Sequence, residues 1–202
     1  MGNGKILTSE NKNFLINQVQ TDVSVISFFS VISVFFIGSL LPQFNSYDLS
    51  VKIPISFLII ALFAFLFSAL ILSNASPKIN EGNPKKIEKY LAYGYSISEY
   101  MGIFLFVLSV PLVVSVVTSD FYLRVITFCA AILGISVYQL MGFSLLETHF
   151  SKRYKLFSVI TILFGIVLFI SQIYAFHFTV ISIVFLLFIL LITALAPVKN
   201  FQ

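Results

Sequence analysis

Along most of this chain, apolar residues gather in long blocks separated by short polar segments. A helix needs ~20 mainly apolar residues to cross a hydrocarbon core ~30 Å thick. The blocks at 23–41, 53–72, 100–119 and 125–146 reach that length. Asp, Glu, Lys and Arg are absent from 156–198. As one helix that stretch would be ~64 Å long, about twice the core thickness. It is expected to fold back at Ala175-Phe176-His177-Phe178, giving spans at 156–174 and 178–196. The pattern predicts an all-α, polytopic integral membrane protein: a six-transmembrane-helix bundle over 23–202.

Two helices are expected to continue outside the apolar blocks. In residues 1–22, Leu15 and Val19 share one side with Ile26, while Asn13, Asn17 and Gln20 share another with Ser24 and Ser27. This spacing predicts an amphipathic cytoplasmic helix fused to the first span. Asn83-Pro84 forms a helix start, with Asn as N-cap and Pro at the first helical position. The third helix is expected to run from Pro84 to about Val117, kinked near Pro111 where a backbone bond is lost.

Composition excludes the soluble classes. Hydrophobic residues make up 59% of the chain and charged residues 10%, with mean hydropathy +1.03. A soluble domain carries about 25% charged residues. The net charge of +4 does not imply a nucleic-acid partner, because the basic residues are spread through short loops and form no single patch. Counted by loop, Lys5, Lys12, Lys78, Lys85, Lys86, Lys89, Lys152, Arg153, Lys155 and Lys199 fall on one side, against Lys52 and Arg124 on the other. Basic residues are retained inside. A multi-pass protein of the cell membrane with both termini cytoplasmic is therefore expected. Cys129 is the only cysteine, so an intramolecular disulfide or Cys-based zinc site is impossible; it is expected to be a small core hydrophobe.

The central thirds of the predicted spans hold no Asp, Glu, Lys, Arg or His. No nucleophile–base pair or metal-ligand set shares one depth, so no enzymatic activity or cofactor is expected. The candidate chemistry lies at the inner boundary. Asp22, Glu99 and Glu147 flank the first, third and fourth spans, and His149 follows Glu147. If those helices meet, the four side chains could hold a divalent cation; alternatively they are hydrated interfacial groups paired with nearby lysines. Thr21, Ser24, Ser27, Ser30 and Ser33 place a hydroxyl at every third position. Helix packing, with each hydroxyl returned to a backbone carbonyl, is favoured there over a polar path. Ala61, Ala64 and Ser68, with Ala130 and Gly134, predict close helix contacts. Gln139 is the deepest amide, suited to an interhelical hydrogen bond or to coordinating an ion. Asp120 and Arg124 read as helix-end stabilisation.

Two functions fit this pattern. One is a small oligomeric channel or uncoupled permease for a cation or small solute, its path lined by Asn17, Gln20, Ser24, Ser27 and Gln139. The other is a non-catalytic membrane subunit or scaffold that docks a partner through its cytoplasmic helices. The expected partners are the lipid bilayer and either further copies of the chain or other subunits of a membrane complex.

Overall fold

The computed structural model describes residues 9–81, 84–140 and 153–195. These residues are almost entirely helical, with no strand among them. Helix α1 (Ser9–Leu40) runs without a break from the amphipathic segment into the first apolar block. A 3₁₀ turn, Leu41–Ser46, leads to α2 (Leu49–Ser73), followed by short α3 (Ala75–Glu81) and α4 (Pro84–Ser96). A π segment (Ile97–Phe104) joins α4 to α5 (Leu105–Val117). Then come α6 (Phe121–Leu140), α7 (Arg153–Ile173) and α8 (Phe178–Leu195). Five helical stretches are long and apolar enough to cross a membrane, and the apolar part of α7, Val159–Ile173, is shorter.

The centre of the bundle is α2 and the π–α5 rod. Helix α1 packs on α2 and α3; α6 packs on α5 and α7; α8 closes against α2, α7 and the π segment. Aromatic rings fill the middle. Phe29 stacks on Phe65 with centroids 5.6 Å apart, and Phe106 meets both edge-on. Phe185 lies between Phe57 and Phe164. Three glycines permit tight crossings, Gly94 among them, where a Cβ would sit 2.6 Å from Leu72. A Cβ on Gly102 would sit 2.5 Å from the Phe65 ring, and one on Gly165 would sit 2.8 Å from Leu108.

Several local outcomes differ from the sequence reading. The long third helix departs from α geometry at Ile97–Phe104, well before Pro111, which lies inside α5. Ala61, Ala64 and Ser68 are buried as expected, but Ala130 and Gly134 are exposed, and a Cβ on Gly134 would meet nothing within 4 Å. Cys129 is exposed on the same helix, not in the core, because little of α6 is covered by the rest of the chain.

The reversal between α7 and α8 occupies Tyr174–His177. The Phe176 N–H donates to Ser171 O and the Ala175 N–H to Gln172 O. These two bonds form a Schellman cap, with Ala175 in the left-handed position usually held by glycine. Ala175 has φ 51° and His177 φ 48°. A chain turn is thus built here without Gly or Pro.

Candidate functional site

The feature that stands out is a lateral cleft between α1 and α6, floored by the π–α5 rod. Its volume is about 500 Å³. Helix α1 contributes Asp22, Val25, Ile26 and Phe29, spaced to share one helical face. Helix α6 contributes Ala130, Ala131, Gly134, Ile135 and Tyr138. The small residues of α6 leave the space open. Ala130 and Gly134 form a small-xxx-small pair, the pattern that lets a neighbouring helix backbone approach closely.

Among the described residues of this lining, Asp22 is the only charged one. It is half-buried at the start of the first apolar block. The Tyr95 hydroxyl, from fully buried Tyr95 on α4, donates to Asp22 Oδ2 at 2.7 Å. This bond holds the carboxylate at one end of the cleft.

Of the four candidate residues at the inner boundary, Asp22 and Glu99 lie among the described ones. Glu99 lies in the π segment and is fully buried, whereas a hydrated boundary was expected. The segment runs through the centre of the bundle, packed on α2, α5 and α8, and five of its eight residues are buried. Glu147 and His149 lie outside the described residues, as does the side chain of Gln139. Among the described residues no group of three His, Cys, Asp or Glu could hold a metal ion.

The polar face of α1 points away from its own bundle. Asn17, Gln20, Ser24 and Ser27 are exposed. Thr21 Oγ1 donates to Asn17 O, Ser24 Oγ to Gln20 O, Ser30 Oγ to Ile26 O and Ser33 Oγ to Phe29 O. These hydroxyls are returned to their own helix, as the packing reading expects.

The apolar side of α4 is also accounted for. Ile87, Leu91 and Tyr95 are buried, and α4 packs on α2, α3 and the π segment. That face is covered within the chain itself. The signal for the α1–α6 cleft was present in Ala130 and Gly134, but sequence alone paired them with another helix of this chain. No family model, curated protein or solved structure matches the chain.

Proposed function

We propose that this protein is a non-catalytic subunit of a membrane complex, which receives a transmembrane helix of a different protein in the α1–α6 cleft. The observation that carries this reading is the open small-residue face of α6 opposite the carboxylate of Asp22. Small residues spaced like Ala130 and Gly134 let a neighbouring helix backbone approach closely, and the described chain covers little of α6 itself, so a helix of another protein would fill the space. In this reading the chain has six spans in the cell membrane, with both termini cytoplasmic.

A photoreactive phenylalanine analogue at Leu133, beside the cleft, tests it in native membranes. The expected product is one heteromeric adduct, weakened by Asp22→Asn and lost with Gly134→Leu. Adducts to further copies of this chain alone would overturn the proposal.

A second reading is an oligomeric channel or permease, favoured by the outward polar face of α1. Asn17, Gln20, Ser24 and Ser27 of several copies would line its path, and Asp22 and Glu99 would attract the cation. Purified protein in liposomes should then pass ions or small solutes above an empty-liposome control. Millimolar Ca²⁺ should raise the melting temperature, and Glu99→Gln should remove that shift while Asp48→Asn keeps it. Absence of both flux and shift rejects the channel.

A further inference from the structure

Helix α1 turns one face to its own bundle and leaves the opposite face bare. Val19, Ile26, Ser30, Ser33 and Ile37 are buried. The bare face follows a strict 3–4 alternation from Phe14 to Gly38, and every position of that row is exposed. A 3.5-residue repeat of this kind is the seam of a left-handed coiled coil. Written as a heptad, the a positions are Phe14, Thr21, Phe28 and Phe35, and the d positions are Asn17, Ser24, Val31 and Gly38. Rings thus dominate the a positions, and smaller side chains fill every d position. Large residues alternating with small ones let two such faces interdigitate. A Cβ on Gly38 would meet nothing within 4 Å in its own chain.

Neither lipid nor water suits the whole row. It starts at Phe14, 71% exposed, ~14 Å of helix before the apolar block at residue 23. It then continues through that block to Gly38. The seam and its flank of Asn13, Gln20, Ser27 and Val34 contain no Asp, Glu, Lys or Arg. An identical face can therefore meet it without like-charge repulsion. Copies inserted the same way carry α1 in parallel, and a two-fold axis sets each seam position opposite itself. The Asn17 amide holds both donors and an acceptor, so it is complementary to its own copy. A single amide in a coiled-coil seam fixes the register. At 71%, 63% and 76% exposed, Phe14, Phe28 and Phe35 alone offer roughly 300–500 Å², on a scale of ~150–250 Å² for each side chain. That is about half of the ~800 Å² a stable interface takes from each partner.

We infer that α1 pairs in parallel with α1 of a second copy of this chain, along the seam from Phe14 to Gly38. Asp22, Val25, Ile26 and Phe29, which border the α1–α6 cleft, lie off that seam. The pair leaves the cleft open and rests on neither functional reading above.

The test is oxidative cross-linking of single cysteines in native membranes, in a Cys129→Ser background. A disulfide needs Cβ atoms about 3.5–4.5 Å apart. Ser24→Cys, Phe28→Cys, Val31→Cys and Phe35→Cys should each give covalent pairs. Leu66→Cys on α2 and Leu187→Cys on α8, 45% and 60% exposed, should give little. Equal yields at those two positions would mean random collision and overturn the inference. Adding Gly38→Leu to Phe28→Cys should weaken pairing about tenfold or more, because it overpacks the seam. The helical content of that variant should not change. Gly134→Leu should leave the cross-links intact, which separates this pairing from any occupant of the cleft. Undiminished pairing with Gly38→Leu would overturn the inference, as would three or more copies per particle in native mass spectrometry.

Discussion

At the scale of single residues, buried polar groups decide more than their number suggests. Pro54 has no N–H, so the carbonyl of Ser50 four residues earlier loses its helical donor. Gln172 of α7 supplies one: its Nε2 donates to Ser50 O at 3.3 Å and to Leu112 O at 3.0 Å. One amide thus joins α2, α5 and α7. Gln172→Leu should destabilise the fold by about 1–2 kcal/mol. Pro54→Ala in the same chain should recover part of this loss, because the new N–H can reach Ser50. Denaturation of all four combinations would measure the coupling, and purely additive losses would reject the link. Glycine gives a second contrast. Gly102→Ala drives a methyl into the Phe65 ring and should cost about 1–3 kcal/mol. Gly134→Ala meets open space and should leave stability unchanged or raise it by up to ~1 kcal/mol. Thermal unfolding of the two variants checks both signs.

Helix ends and irregularities matter at the scale of elements. Asp120 caps α6, with the Leu123 N–H donating to its Oδ1 at 3.0 Å. Arg124 Nε donates to Thr118 O at 2.7 Å, so the cation ties the preceding loop to the helix start. Asp120→Ala should cost about 1 kcal/mol, and Asp120→Asn should cost little. The α7 cap behaves in the opposite way. Ala175→Gly places glycine in the left-handed position and should stabilise the turn by roughly 0.5–1 kcal/mol, if relief of strain exceeds the added chain entropy. A lower melting temperature for Ala175→Gly would show that Ala175 is not strained. The π segment has a different role. Ser98, Glu99, Tyr100, Gly102 and Phe104 are buried in it, and Gly102 is what allows Phe65 to lie against it.

At the scale of the whole molecule, one side of the bundle is closed and another is open. Rings on α1, α2, α5, α7 and α8 fill the centre, while α6 touches its neighbours along little of its surface. The proposed topology predicts the accessibility of single cysteines in a Cys129→Ser background. Cysteines at Asp48 and Phe176 should react with an impermeant thiol reagent from outside intact cells. One at Lys89 should react only after the membrane is opened. The reverse pattern would invert the orientation, and labelling of Asp48 and Phe176 from opposite sides would remove one span.

Local features of the chain were enough to foresee an all-helical protein with several membrane-length apolar helices and a reversal near Ala175. These follow from local quantities: the length of apolar runs, the distance a helix can cover, and the polarity of a few residues between runs. Leu15, Val19 and Ile26 also carried the packed side of α1 in their spacing. Only the tertiary structure decided which small residues face a neighbour. Ala61 and Ala130 look alike in sequence, yet one is buried against the bundle and the other borders a cleft. The depth of Glu99 was hidden for a related reason. Its burial depends on α2, α5 and α8 packing around the π segment, which no local pattern records. The bond between Tyr95 and Asp22 joins residues 73 positions apart, and such a pairing exists only once α1 and α4 have been brought together by packing.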